Sequence, residues 1–310
     1  MIRPEYLKKG DGIAVVSPSY RMEEDALSSA IDIVRGWGFE PVCSPNLNRG
    51  GDVYAGTAAE RAEDLGWALN NPDVKAVICS RGGYGALHLI DRVPASRFAV
   101  RPKWLVGYSD ITTLHAMSVA GGVMSIHGQM LSSLGREGSE ESSSALVSLL
   151  TGDCISYRFD SCRYNVPGSA SGMLLGGNFI TLNALFGTSC DFLSGQGDVI
   201  LFIEEVEESM HAIDRLFNVL LRHRNFGCVK GLVFGQFTDC PADLHFDGVQ
   251  QMLSGYLPAL GIPVAFGFPA GHGAVNLPFI EGAAVELTVG PSGTEMKYLE
   301  TAAADEGPKQ

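Results

Sequence analysis

WLVGYSDITTLHAM, residues 104–117, runs from an apolar strand into a helix through Gly107, Tyr108 and Ser109. Trp104 to Val106 form a short apolar run of the kind that a strand buried on both faces requires. Ile111, Leu114 and the residues around them continue at helical spacing. A strand that feeds directly into a helix is half of a βαβ unit, the building block of a parallel sheet. The same alternation extends outward on both sides. GIAVVSPS (12–19), FEPVCSP (39–45), VKAVICS (74–80) and VMSIHGQM (123–130) read as strands. The helices expected between them are 23–38, 57–72, 84–93 and 111–122. Thr57 is an N-cap with Glu60 as its capping-box partner, and Asn71-Pro72 ends that helix. Strands separated by helices in this way predict a doubly wound α/β domain.

Beyond residue 132 the pattern changes. SSLGREGSEESSS (132–144) and the segment around 160–172 are polar and turn-rich. Mixed strands and helices follow, from LLGGNFITLNALFGTS (174–189) to a closing hairpin, AAVELTV and EMKYLE. The expected division is an N-terminal domain over 1–135, a linker over 136–170, a C-terminal domain over 171–300 and a frayed tail over 301–310.

Bulk properties exclude several classes of function. The chain has 310 residues, 45% of them hydrophobic and 18% charged, so it can bury two ordinary cores. The net charge is −13 with no basic stripe, which argues against nucleic acid and anionic membrane surfaces as partners. No apolar run reaches the roughly 18 residues of a membrane span, and no secretory signal core precedes the first strand. The seven cysteines, Cys43, Cys79, Cys154, Cys162, Cys190, Cys228 and Cys240, are scattered and show no zinc-ligand spacing. They read as reduced thiols of a cytoplasmic protein.

Ser109 carries two readings. Serine before a helix is a favoured N-cap. It also stands at the carboxyl edge of a parallel sheet, where such sheets place ligands, and the Asp110 amide behind it opens a helix N-terminus. The sequence is GYSDI and not G-x-S-x-G, so the hydrolase elbow motif is not matched. Local reasoning leaves cap and nucleophile evenly balanced. CSRGGYGAL (79–87) occupies the equivalent position after another strand. Its Gly82 and Gly83 suit either a tight turn or an oxyanion hole shared with the Asp110 amide, with Tyr84 beside them; the spacing does not fit a dinucleotide loop. ILFIEEVEES (200–209) ends a strand in acidic residues, which suits a solvated end or a carboxylate aimed inward at a histidine. Among seven histidines, His272 stands apart because glycines flank it in PAGHG.

These segments together resemble one family. SRGGYGA (80–86), GYSDIT (107–112), GGN (176–178), LFIEE (201–205) with IDR (213–215), and GHG (271–273) with NLP (276–278) are similar to the L,D-carboxypeptidases. These are serine peptidases that include murein tetrapeptide carboxypeptidases and microcin-C immunity peptidases. The resemblance implies a flavodoxin-like N-terminal domain carrying the serine and a smaller, β-rich, swivelling-type C-terminal domain carrying glutamate and histidine. It implies Ser109 as nucleophile, Glu204 and His272 as its partners, and backbone oxyanion donors at Gly83 and Asp110, with Gly82 and Tyr84 against the substrate. It further implies no cofactor, no metal, a homodimer, and a small peptide substrate, a murein tetrapeptide cut in cytoplasmic peptidoglycan recycling. An aminoacyl-nucleotide substrate is the nearest alternative. The three tryptophans, Trp37, Trp67 and Trp104, all lie in the first half, so no indole of the second half can stack on a base. A non-catalytic binder of peptidoglycan fragments is the second alternative, opposed by the intact Ser109, Glu204 and His272.

Overall fold

The computed structural model describes residues 1–50, 53–153 and 156–299. Its first half runs β1 (Gly12–Val16), α1 (Glu24–Gly36), β2 (Glu40–Cys43), α2 (Ala58–Asn70), β3 (Val74–Cys79), α3 (Ser96–Val100), β4 (Trp104–Gly107), α4 (Thr112–Ala120) and β5 (Ser125–His127). These strands pair in parallel in the order β2-β1-β3-β4-β5. That order is flavodoxin-like, and it places ligands outside the carboxyl ends of the strands. Helices cover both faces. Ala14 and Val16 of β1 enter one apolar cluster, and Ile13 and Val15 enter another. Double burial is why these strands read as unbroken apolar runs.

Helix α2 begins with the expected capping box, Thr57 and Glu60 satisfying each other's backbone. The helix expected over 84–93 does not form. Only a 3-10 turn, Ala86–Leu89, stands there before α3. Gly85 has φ +127°, and the Ala86 amide donates to Asp110 Oδ2 at 2.8 Å. The tertiary tie fixes the start of the segment, and Pro94 disfavours helix at Val93.

The second half runs α5 (Glu140–Thr151), β6 (Ser156–Phe159), β7 (Gly168–Asn178), α6 (Phe179–Leu185), β8 (Val199–Val206), α7 (Met210–Leu221), β9 (Val229–Thr238), α8 (Val249–Ser254), β10 (Val264–Phe266), β11 (Phe279–Glu281), β12 (Ala284–Gly290) and β13 (Gly293–Tyr298). Seven strands form a mixed sheet in the order β10-β9-β8-β7-β12-β13-β6. Strands β7 to β10 are parallel, and β12, β13 and β6 pair antiparallel. The stretch 136–170, expected as a linker, carries α5 and β6. The leucines Leu146, Leu149 and Leu150 of α5 join the core of the first sheet. Strand β11 leaves the second half and pairs antiparallel with β5 at the edge of the first sheet. Cys154 and the tail over 301–310 lie outside the described residues.

One glycine lets the halves meet: a Cβ on Gly177 would strike Thr112 Oγ1 at the start of α4. With that space clear, the Asn178 amide donates to Thr112 Oγ1 at 3.0 Å. One apolar cluster then runs through both halves, from Leu105 and Leu114 to Leu175, Ile203 and Phe234.

Candidate functional site

The loops that follow β1, β3 and β4 converge at the carboxyl edge of the first sheet. Ser17 Oγ meets Ser80 Oγ at 2.7 Å, and the Tyr20 amide donates to Gly82 O at 3.3 Å. Ser19 Oγ donates to Asp110 Oδ2 at 2.5 Å. The Asp110 carboxylate therefore joins all three loops by accepting from Ser19 and Ala86. Burial pushes its carboxyl above the usual range, although both hydrogen bonds and the Arg61 charge act the other way.

Ser109 is not a cap. It opens a single 3-10 turn, Ser109–Ile111, whose N-cap position is Tyr108, and among the described residues neither that turn nor α4 has a side-chain cap at its N-cap position. Its φ is +64°, in the left-handed region. A residue with a Cβ is held there at a cost of about 1–2 kcal/mol, and such strain clusters at functional sites. Gly82 makes the placement possible, because a Cβ there would lie 3.0 Å from Ser109 Cβ and 3.1 Å from its Oγ. Gly83 has φ +109°, and a side chain on it would collide with the Tyr20 ring. Among the described residues the amides of Gly83 and Asp110 have no hydrogen-bond partner.

Strand β8 supplies two carboxylates. Alternation sends Ile200 and Phe202 to one apolar cluster and Leu201 and Ile203 to another. Glu204 and Glu205 continue the alternation, and both are buried. Glu204 Oε2 accepts from His272 Nδ1 at 2.7 Å. Glu205 accepts from Asn178 Nδ2 at 2.8 Å, from the Ile180 amide at 2.8 Å and from the Val206 amide at 2.9 Å. Burial raises the Glu205 pKa to about 7, against the pull of those bonds.

His272 sits in the loop between β10 and β11. Its glycine flanks serve close approach: a Cβ on Gly271 would lie 3.2 Å from Glu204 Oε2, and one on Gly273 2.6 Å from Gln236 Oε1. Gln236 fastens the loop by accepting from the Gly273 amide at 2.6 Å and donating to Val275 O at 2.9 Å. Asn276 accepts from the Gly271 amide at 3.1 Å, and its own amide donates to Ser142 Oγ at 2.8 Å. Burial lowers the His272 pKa, but the Glu204 charge and hydrogen bond outweigh it, and the net shift is upward. A carboxylate on Nδ1 holds the proton there and leaves Nε2 as the basic nitrogen.

The structure therefore joins Glu204 and His272 directly and brings Ser109 to them through a neighbour. The Tyr108 ring packs edge-on against the His272 imidazole, centroids 5.0 Å apart. Among the described residues no hydrogen bond links Ser109 Oγ to His272. In ligand-free enzymes such bonds are often long and tighten when substrate arrives. A cleft of about 230 Å³ opens beside the serine, with Gly83, Tyr84, Ser109, Asp110, Glu205 and Glu208 among its lining. Tyr84 is 46% exposed there. A strained serine, two unpartnered amides and a carboxylate-bound imidazole are the groups that acyl transfer needs. Asn178, Gln236, Asn276 and Ser19 are the supporting residues that sequence reasoning gave no role. The GGN and NLP motifs contain two of them; Gln236 and Ser19 carry no local signal. Among the described residues no group of three or more His, Cys, Asp and Glu is placed to hold a metal ion, and no helix is long and apolar enough to cross a membrane.

Doubly wound and mixed sheets carry this cluster of groups at their seam, and comparison with known proteins shows the family. Residues 13–128 match the LD-carboxypeptidase N-terminal domain, and residues 171–287 match the LD-carboxypeptidase C-terminal domain. A putative carboxypeptidase from Synechocystis is 35% identical over 94% of this chain and 96% of its own length. The microcin C7 self-immunity protein MccF from Escherichia coli is 26% identical over 86% of this chain and 87% of its own. The crystal structure of muramoyltetrapeptide carboxypeptidase from Oxalobacter formigenes superposes with a TM-score of 0.86 at 26% identity, covering 93% of this chain and 99% of that one. The chain belongs to the LD-carboxypeptidase family.

Proposed function

We propose that this protein is a serine carboxypeptidase that releases terminal D-alanine from murein tetrapeptides during cytoplasmic peptidoglycan recycling. The observation that carries the reading is the strained, positive-φ Ser109 with two free amides near it, next in the chain to the Tyr108 ring that packs on the Glu204-bound His272. His272 Nε2 takes the Ser109 proton as Oγ bonds to the peptide carbonyl carbon between the diamino acid and D-alanine. The amides of Gly83 and Asp110 stabilise the oxyanion. His272 then gives the proton to the leaving amine as the C–N bond breaks. Water attacks the ester and passes a proton to His272, which returns it to Ser109 Oγ as the ester bond breaks. Glu204 keeps the imidazole in one tautomer and stabilises its cation. The name of the Oxalobacter formigenes structural relative supports the murein substrate.

The test is incubation with L-Ala-γ-D-Glu-diamino acid-D-Ala, with free D-alanine followed by mass. The unmodified protein releases D-alanine and Ser109→Ala does not. No release from the unmodified protein overturns the carboxypeptidase reading. Equal release from both overturns the serine mechanism. Cleavage of an aminoacyl-adenylate analogue in preference to the peptide selects the immunity-type reading instead.

A further inference from the structure

Helix α2 sends an arginine toward the loops around the serine. Arg61 is 4% exposed, and among the described residues no carboxylate lies within ion-pair distance of it. Its guanidinium is spent on loop carbonyls instead. Nη1 donates to Pro18 O in the loop after β1, and to Gly85 O, at 2.8 Å, in the loop after β3. Nε donates to Gly56 O at 3.1 Å, and Nη2 to His88 Nδ1 at 3.1 Å. Burial lowers the Arg61 pKa, and the Asp110 charge acts the other way. A buried cation is costly unless its donors are satisfied, and a planar guanidinium can serve several acceptors at fixed angles. Gly85 makes room for it: φ is +127°, and a Cβ there would lie 2.8 Å from Nη1. The two carbonyls on Nη1 bracket Gly83. Pro18 stands two residues before Tyr20, whose ring lies against Gly83 and whose amide donates to Gly82 O. Gly85 stands two residues after Gly83. Ser19, next to Pro18, and Ala86, next to Gly85, both donate to the Asp110 carboxylate.

We propose that Arg61 is a positioning residue that clamps the loops after β1 and β3 and thereby fixes the direction of the Gly83 amide that receives the oxyanion. The inference rests on the carboxypeptidase reading above and deepens it. Arg61 is not among the residues that line the cleft, so it acts through the backbone it holds. A preorganised donor stabilises charge that develops only in the transition state. A loosened clamp therefore lowers turnover and leaves ground-state binding of the peptide in place. Lysine keeps the charge but is a single point donor, and it cannot hold the four acceptors of Arg61 in one plane.

The test compares the unmodified protein with Arg61→Lys in three measurements. The first is kcat with L-Ala-γ-D-Glu-L-Lys-D-Ala. The second is the Kd of that peptide by calorimetry, with Ser109→Ala added to both proteins. The third is the Ki of the boronic acid analogue of L-Ala-γ-D-Glu-L-Lys, whose boron replaces the scissile carbonyl carbon and binds Ser109 Oγ as a tetrahedral anion. Arg61→Lys should lower kcat about 10- to 100-fold, at most the loss of a whole oxyanion donor. The boronate Ki should rise by a similar factor, and the peptide Kd should stay within about twofold. A kcat within about twofold of the unmodified protein, or a Kd that rises as much as the Ki, overturns the clamp. If Arg61→Lys does not fold by circular dichroism, Gly85→Ala takes its place, because it leaves Arg61 present and pushes Nη1 away; the same outcomes uphold or overturn the clamp. If the unmodified protein releases no D-alanine, the carboxypeptidase reading fails, and crystal structures of the unmodified protein and the variant decide the clamp by themselves. A Gly83 peptide turned away from φ +109° in the variant upholds it, and one that stays overturns it.

Discussion

Glu204→Gln tests the pair at the centre of the site. Glu204 is fully buried, and its 2.7 Å bond to His272 Nδ1 is charge-assisted. A hydrogen bond to a charged group contributes about 1.5–3 kcal/mol. Losing the charge alone therefore lowers the rate roughly 10- to 150-fold at 1.36 kcal/mol per decade. An amide does more damage, because its NH2 can donate to Nδ1 and move the imidazole proton to Nε2, the nitrogen that must act as base. Changing a triad acid to its amide costs about 10⁴-fold in kcat. The expected fall in D-alanine release lies between those limits, toward the larger. The pH profile gives an independent reading. His272 must be neutral to accept the Ser109 proton, so the rate rises as pH climbs through its pKa, which stands above 6.5. Glu204 supplies the largest influences that raise it, and burial opposes them. Without the carboxylate, burial is opposed less and the acidic limb of kcat/KM moves to lower pH. The variant should still fold, because a neutral imidazole facing an amide leaves no uncompensated buried charge. Partial unfolding lowers the plateau without moving the limb. A Glu204→Gln protein with nearly full activity and an unshifted acidic limb would falsify the assignment.

Ser109→Ala should abolish detectable release, by at least about 10³-fold, whereas Ser109→Gly should also be more stable to denaturant by about 1 kcal/mol, since glycine relieves the φ of +64°. Gly177→Ala should destabilise by roughly 2–3 kcal/mol in urea unfolding, because its Cβ meets Thr112 and its φ is +135°; Gly36→Ala, with open space around it, should not. Acid should weaken the fold through His115, whose pKa burial lowers to about 4 from an ordinary 6.5. A histidine held neutral contributes stability above its unfolded pKa and loses it as pH falls, here about 3 kcal/mol between pH 6.5 and 4 in melts followed by circular dichroism. Glu281 acts with the opposite sign: burial raises its pKa, so it weakens the fold as pH rises above 4.5, and Glu281→Gln should raise the melting temperature at pH 8 while leaving the acid-side loss in place.

The first domain was legible because double burial and helix spacing leave a periodic signal, and the capping box of α2 leaves a local one. The helix expected over 84–93 failed because long-range ties outweighed propensity: Asp110 takes the Ala86 amide, and the Arg61 guanidinium donates to Gly85 O at 2.8 Å. Strand β11 left no readable trace. It is three residues long, and its partner β5 lies some 150 positions away. The acidic end of β8 shows most sharply where sequence reasoning stops. Alternation says that Glu204 and Glu205 face opposite sides of the sheet, but not which side holds the histidine. The local reading takes the first carboxylate after the strand, and the resemblance makes that residue, Glu204, the partner of His272. The buried His115 and His127 looked ordinary in sequence, because nothing local announces burial; His115 bridges Ser125 Oγ and Gly107 O, whereas both ring nitrogens of His127 lack hydrogen-bond partners among the described residues.

The division of the site between two sheets has a mechanical consequence. Ser109 rides on the carboxyl edge of the first sheet, and Asn178 at the end of β7 pairs in register with Glu204 near the end of the parallel strand β8 in the second. Two separate sheets joined only by a linker would leave the base free to drift from the nucleophile. Here three connections oppose that drift. Gly177 lets β7 close on α4, the Asn178 amide binds Thr112 three residues after Ser109, and β11 returns from the His272 loop to extend the first sheet. The His272 loop is therefore held from both sides, by Gln236 of β9 before it and by β11 after it. Near-attack geometry is worth many kcal/mol only when the groups are held in place before substrate arrives. Gly177 is a position where the two halves come close enough to share one site, and Gly271 and Gly273 let the His272 loop close on Glu204 and Gln236.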